Sequence, residues 1–258
     1  MTDMIEVAKR ALGLVDLTNL NDDCTAEDIT KLTGRTVTQH GAVAAVCVWP
    51  RFVAQAVKEL AGTGVKVATV VNFPTGGEDN EAVVAETRQA IADGADEIDL
   101  VMPYKAFVEG RKGFAEEQII QVKDAIPAPA ILKVILETGE IEDPLLIHAA
   151  SNVAIAAGAD FIKTSTGKVA VNATLEAAEI MLTAIEEARR DHAERVIGFK
   201  PAGGIKTSAD AAAYLALADK IMGHNWVAAS TFRFGASGLL DALIATIEGQ
   251  EASASEGY

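Results

Sequence analysis

Eight short, strongly apolar segments alternate with stretches of helical rhythm along this chain. That alternation constrains the fold more than any other feature. The strand-like segments are 14–17, 44–49, 65–71, 97–102, 131–136, 161–164, 196–200 and 231–234. Most are rich in Val and Ile and apolar on both faces, as strands covered on both sides must be. The stretches between them carry helical stripes. Residues 81–92 (EAVVAETRQAIA) place Val84, Thr87, Ala90 and Ile91 together, and 175–188 do the same with Leu175, Ala178, Leu182 and Ile185.

The punctuation agrees. Thr25-x-x-Asp28 and Thr207-x-x-Asp210 read as capping boxes, and Asp143-Pro144 as a cap followed by proline in the first turn. Residues 92–99 resemble 156–163, each a helix end, a Gly-Ala-Asp turn and a strand. Eight such units in 258 residues are the size and rhythm of an α/β (β/α)8 TIM barrel. The alternative is an open doubly wound sheet, which usually carries a Gly-rich fingerprint after its first strand; here Thr18-Asn19-Leu20-Asn21 follows instead. Residues 1–12 read as an extra leading helix and 248–258 (EGQEASASEGY) as a mobile tail, all within one domain spanning 1–258.

Charge narrows the partners. Lys and Arg number 22 against 37 Asp and Glu, a net charge of −15. That opposes sequence-independent binding to nucleic acid and attachment to anionic lipid, both of which need a basic face. An anionic ligand then requires local donors that override the global field. Cys24 and Cys47 make no disulfide framework, and the four scattered histidines have no metal-ligand spacing, so no metal is expected. The first residues lack the plan of a signal peptide, and no apolar run approaches the roughly 20 residues of a membrane helix. A cytoplasmic protein is expected.

Asp16, Asp99, Lys133, Lys163 and Lys200 lie within otherwise apolar strands. A buried charge is costly unless paired, and inward residues near the C-terminal strand ends of a barrel line its active site. Any one of the lysines alone reads as half of a structural ion pair. Three on consecutive strands read as chemistry, because two inward acids cannot neutralise them all. An amine attacks a carbonyl only when neutral, and an ordinary lysine with pKa near ~10.4 is almost wholly protonated at pH 7. Lys163 and Lys200 fall on neighbouring strands, about 4.8 Å apart. One would be the nucleophile, kept neutral by the other and clear of any carboxylate clamp.

Three glycine-bearing loops follow the last three strands: Thr164-Ser165-Thr166-Gly167-Lys168, Pro201-Ala202-Gly203-Gly204-Ile205-Lys206 and Gly235-Ala236-Ser237-Gly238. Backbone N–H groups exposed by glycine, with a helix start behind them, suit a phosphate. Cys47 ends the second strand near the expected mouth and reads as a small buried hydrophobe. Trp49 and Trp226 read as packing residues.

Several segments resemble deoxyribose-phosphate aldolase. They are Asp16-Leu17-Thr18, Glu97-Ile98-Asp99-Leu100-Val101, Leu132-Lys133-Val134-Ile135, Glu137-Thr138-Gly139, the stretch 158–167 (GADFIKTSTG) and the stretch 198–204 (GFKPAGG). The resemblance runs from about residue 16 to 234 and on to the terminal tyrosine. It implies a metal-free, cofactor-free class I aldolase of deoxynucleoside catabolism. Such an enzyme reversibly cleaves 2-deoxy-D-ribose 5-phosphate to D-glyceraldehyde 3-phosphate and acetaldehyde. By motif position it implies Lys163 as the Schiff-base lysine, Lys200 as the lysine that tunes it, and Asp99 as the proton donor and acceptor. Asp16 and Lys133 match further polar positions of the family's site. Gly167, Lys168, Gly203, Gly204, Lys206, Gly235 and Ser237 match its phosphate loops. It implies that the tail can bring Tyr258 over the mouth to aid proton transfer, and that the chain forms a homodimer. Lys206 stands where Arg is frequent and Gly238 where a second Ser is frequent, which loosens the expected grip on phosphate. Two other readings stay open from the residues alone: a different Schiff-base enzyme on the same barrel, and a phosphosugar-binding barrel without catalysis.

Overall fold

A computed structural model describes residues 3–191 and 194–250. The barrel strands are β1 (Val15–Asn19), β2 (Ala45–Val48), β3 (Lys66–Val71), β4 (Glu97–Val101), β5 (Ile131–Ile135), β6 (Phe161–Lys163), β7 (Gly198–Lys200) and β8 (Phe234–Ala236). All pair in parallel with their sequence neighbours, and β8 pairs with β1. Parallel bridges Phe199–Phe232 and Ala202–Gly235 join the remaining edges, so the sheet closes into a barrel rather than lying open.

Helices cover its outside. The principal ones are α1 (Met4–Leu12), α2 (Ala26–Thr33), α3 (Val53–Glu59), α4 (Asn80–Ala92), α5 (Tyr104–Val108) and α6 (Lys112–Asp124). After them come α7 (Thr138–Ile141), α8 (Pro144–Ala156), α9 (Leu175–Asp191), α10 (Ser208–Met222) and α11 (Leu239–Ile247). The leading helix α1 starts at its Asp3 cap and packs on α10 and α11. Both capping boxes form, at Thr25 and Thr207, and the Asp143 side chain caps α8 ahead of Pro144.

Three local expectations need correction. The buried stripe of α4 is Val83, Thr87 and Ala90, with Val84 and Ile91 at its margin. Leu175 opens α9 but faces solvent, and the buried face runs through Ala178, Leu182 and Ile185. The last strand is 234–236, not 231–234. Phe232 donates its N–H to the Ala228 carbonyl and makes only a single parallel bridge to Phe199, so the continuous strand starts later, at Phe234. The small pair Gly235-Ala236 then lies beside Asp16 and Leu17. A short hairpin between β1 and β2, Val37–Thr38 with Gly41–Ala42, was not expected from the sequence.

Alternation along each strand divides the molecule into two shells. On β4, Ile98 and Leu100 join the hydrophobic layer beneath the helices, while Glu97 and Asp99 take the other face. On β5, Leu132 and Val134 are outside and Lys133 inside. The apolar layer between sheet and helices is what carries the fold. The barrel interior is the place where charges gather.

Candidate active site

Five charges singled out in the sequence meet inside the barrel. Lys163 Nζ donates to Asp99 Oδ2 at 2.8 Å, and Lys200 Nζ donates to the same oxygen at 2.7 Å. Lys200 also donates to Asp16 Oδ2 at 2.6 Å. Lys133 reaches the other Asp99 oxygen at 2.8 Å and lies 3.9 Å from Asp16 Oδ2. Asp99 on β4 thus contacts β6 and β7, which are not its neighbours in the sheet, so these bonds span the interior. Asp99 and Lys133 are register partners, as are Lys163 and Lys200.

Two further charges complete the cluster, and the sequence reading missed both. Glu97 accepts from Lys133 at 2.6 Å. Arg233 donates to Asp16 at 2.7 Å and to Glu97 at 2.7 Å. Glu97 is the first residue of its strand, where a polar residue reads as a boundary, whereas Arg233 lay inside the expected segment 231–234. The placement of Arg233 between Phe232 and Phe234 was the available signal. Below them Phe161 fills the floor, with the Arg233 guanidinium 5.8 Å from its ring. Gly198 makes that possible, since a Cβ there would stand 2.3 Å from the Phe161 ring.

Among the described residues, the ion-paired groups of this cluster are three carboxylates, Asp16, Glu97 and Asp99, against four cations, Lys133, Lys163, Lys200 and Arg233. An uncompensated buried charge is expensive. It is relieved most cheaply by deprotonating the cation with the fewest carboxylate contacts. Arg233 cannot lose its proton. Lys133 touches three carboxylates and Lys200 two, while Lys163 touches one, whose oxygen it shares.

The pKa directions follow. Burial lowers Lys163, Asp99 pulls it back up, Lys200 pushes it down again, and the net shift is downward. Burial opposes the charge of Lys200 and Lys133 as well, but their carboxylates leave both raised. Asp16 and Asp99 are held well below the usual carboxylate range by the surrounding cations, against the opposing effect of burial.

The expectation for Lys163 therefore needs two corrections. It does not stand clear of a carboxylate. The Asp99 contact is divided among three lysines, so it does not clamp Lys163 as a private partner would. Burial, ahead of Lys200, is the leading cause of its lowered pKa. Leu20, which lines the same cleft as Lys163, packs in an apolar cluster with Cys47, Ala68 and Val70. Cys47 is fully buried there, which raises its thiol pKa.

Lys163 opens into a cleft lined by Thr18, Thr166, Gly167, Gly203, Gly235 and Ser237, among others. Four of the seven expected phosphate-loop residues thus share one cleft with the lysine. The other three do not line it. Gly204 and Lys206 are exposed, and Lys168 Nζ lies 3.3 Å from Asp22 Oδ1 at the surface. Gly235 leaves room for the lysine stem, since a Cβ there would stand 3.0 Å from Lys200 Cε. Gly238 caps α11 by backbone alone. Among the described residues no group of His, Cys, Asp and Glu could hold a metal ion, and no helix is long and apolar enough to cross a membrane. Tyr258 and tail residues 251–257 lie outside the described residues.

Comparison with known proteins gives the family. Residues 10–242 match the DeoC/LacD family aldolase. Deoxyribose-phosphate aldolase of Agrobacterium fabrum is 56% identical over 255 residues, 98% of this chain and 96% of that protein. A Coccidioides immitis structure assigned as a deoxyribose-phosphate aldolase aligns with TM-score 0.79 at 32% identity, over 93% of this chain and 86% of its own. A Toxoplasma gondii structure so assigned aligns with TM-score 0.86 at 28% identity, over 96% and 99%. The reading as a barrel that binds without catalysis falls away, and the chain belongs to the DeoC/LacD family of aldolases, which are lyases.

Proposed function

We propose that this aldolase reversibly cleaves 2-deoxy-D-ribose 5-phosphate to D-glyceraldehyde 3-phosphate and acetaldehyde through a Schiff base on Lys163. One observation carries the reading: the lysine of lowered pKa is also the one that opens into the glycine-lined cleft. The substrate comes from the named relative, at 56% identity.

In the cleavage direction, neutral Lys163 Nζ attacks the C1 aldehyde of the open sugar. Loss of water gives an iminium. A base takes the proton of the C3 hydroxyl, the C2–C3 bond breaks, and its electron pair flows to the iminium nitrogen as an enamine. D-Glyceraldehyde 3-phosphate leaves. Protonation of the enamine at C2 and hydrolysis of the new iminium release acetaldehyde and regenerate the amine. Asp99 is ionised at the outset, so it serves first as acceptor and then returns the proton. Lys200 supplies the nearby positive charge, while Asp16 and Lys133 hold Lys200 and Asp99 in place. Leu20, in the same cleft as Lys163, offers the methyl end of acetaldehyde an apolar contact.

The phosphoryl group would lie against Gly167, Gly203, Gly235 and Ser237, with Lys168, Gly204 and Lys206 at the rim. Local donors are essential there, because the chain as a whole repels anions. A cytoplasmic setting fits the two free thiols, Cys24 and Cys47. Borohydride added with acetaldehyde should place an ethyl group on Lys163, read by peptide mass spectrometry. Labelling confined to another lysine would overturn the assignment.

A further inference from the structure

Glu137 is the buried carboxyl that the chemistry above leaves unused. It is completely shielded from solvent, yet the described residues put no ion pair on it. Its backbone is left-handed at φ +61°, a conformation that costs a non-glycine residue energy and needs a reason.

Both of its carboxyl oxygens go to one residue. Oε1 accepts from the Thr166 backbone N–H at 3.2 Å, and Oε2 accepts from the Thr166 hydroxyl at 2.5 Å. With its proton committed to Glu137, the Thr166 hydroxyl accepts the Lys168 N–H at 3.0 Å. Gly167 is held between these anchors, at φ +86°. Neighbours of Glu137 grip the same loop. The Leu136 N–H donates to the Lys163 carbonyl and the Thr138 N–H to the Thr164 carbonyl, each at 3.0 Å. At the far end, Gly139 is pressed so close to the loop that a Cβ would stand 2.0 Å from the Val171 carbonyl oxygen.

We propose that Glu137 is a positioning residue: its carboxyl sets the Thr166–Gly167–Lys168 turn so that its donors face a phosphoryl group in the Lys163 cleft. The inference rests on the phosphosugar reading and deepens it. A carboxylate suits this post because it accepts at two points in one plane, matching an N–H and an O–H of the same residue. A hydrophobic residue would leave the buried Thr166 N–H unsatisfied, and the loop would reorient to find water. Burial raises the Glu137 pKa while both Thr166 bonds lower it, so the bonds to this loop oppose the cost of keeping the group charged.

The test compares the full chain with Glu137→Gln, Glu137→Ala and Thr166→Val. Three readouts are needed: kcat and KM for 2-deoxyribose 5-phosphate and for unphosphorylated 2-deoxyribose, affinity for inorganic phosphate by calorimetry, and borohydride trapping with acetaldehyde. Glu137→Ala should weaken phosphate binding at least tenfold and raise KM for the phosphorylated sugar to match. The unphosphorylated sugar and the trapping yield should change much less. Glu137→Gln, which keeps one acceptor and the volume, should fall between. Thr166→Val should resemble Glu137→Ala.

Unchanged phosphate affinity in Glu137→Ala or, if that variant does not fold, in Glu137→Gln and Thr166→Val, would overturn the proposal. Equal loss on both sugars would also overturn it, by making the role structural. Failure of the wild type to turn over the phosphosugar, or to trap at Lys163, would instead defeat the reading of the reaction. The phosphate titration would still decide what Glu137 does.

Discussion

Lys163 and Lys200 are register partners on adjacent strands, and their terminal nitrogens meet at a single atom, Oδ2 of Asp99. That shared oxygen links the charge count of the barrel interior to the reactivity of one amine. With Lys200 present there is one cation too many, and Lys163 is the group that can give up its proton.

Replacing Lys200 with Leu removes the excess. Three carboxylates then face three cations, and Asp99 Oδ2 is left to Lys163 alone among the lysines. The pKa of Lys163 should rise toward or beyond its ordinary value near ~10.4, which makes the neutral fraction at pH 7 roughly a thousandth. Activity near neutral pH should fall by two to three orders of magnitude. The acid limb of the pH–rate profile should move to higher pH, so part of the lost rate returns in alkali. An acid limb at the wild-type position would remove Lys200 from the tuning of Lys163.

Glu97 and Arg233 should behave as a unit. Glu97→Gln leaves Arg233 and Lys133 short of a buried partner, and breaking a buried pair of this kind costs roughly 3–5 kcal/mol. Adding Arg233→Met removes the stranded charge. Two carboxylates then face three cations, the same excess of one as in the wild type. The double variant should unfold in urea with a loss clearly smaller than the two single losses added together. Strict additivity would mean that the pair is not coupled.

The buried aspartates fix how stability responds to acid. Asp16 and Asp99 both have folded pKa values below the ordinary value near ~3.9. A depressed carboxylate contributes stability that is fully present above its unfolded pKa and is lost as pH falls toward the folded one. Glu137, raised by burial, has the opposite sign and offsets a part of this. Unfolding free energy from urea titrations should therefore decline steadily from about pH 5 toward pH 2. A flat profile across that lower range would contradict the ion network inside the barrel.

What could be read from the residues follows physical lines. A charge in the middle of an apolar strand stands out, so Asp16, Asp99, Lys133, Lys163 and Lys200 were legible. Glu97 follows Asp96 at a strand start and merges with an ordinary boundary, whereas Arg233, between Phe232 and Phe234 in the expected segment 231–234, carried the same signal and was passed over. The barrel followed from the alternation of elements, yet β8 came late because Gly235 and Ala236, small enough to pass Lys200, look like a loop. Strand neighbours were predictable, hence the Lys163–Lys200 pair. Contacts across the interior, such as Asp99 to Lys163, depend on the layer each side chain occupies, and strand order does not encode that. The same limit placed Gly204 and Lys206 with the cleft residues, although the turn at Gly203 carries them outward.

Gly203 and Gly204 test that last distinction. Both are left-handed, at φ +83° and +82°, so alanine at either position meets a backbone penalty of about 1–2 kcal/mol. Beyond that they differ. A Cβ at Gly203 would stand 2.7 Å from Cβ of Asn172, whereas a Cβ at Gly204 would meet nothing within 4 Å. Gly203 also lines the cleft, and Gly204 is exposed. Gly203→Ala should therefore displace the turn from the cleft and raise KM for the phosphorylated sugar about tenfold or more, a change of roughly 1.4 kcal/mol in binding. Gly204→Ala should lower thermal stability slightly and leave KM within about twofold, well under that same 1.4 kcal/mol step. Steady-state kinetics on the two variants, with the unphosphorylated sugar as control, separates them. Equal effects on KM would place Gly204 in the cradle after all and move the phosphate outward to the rim.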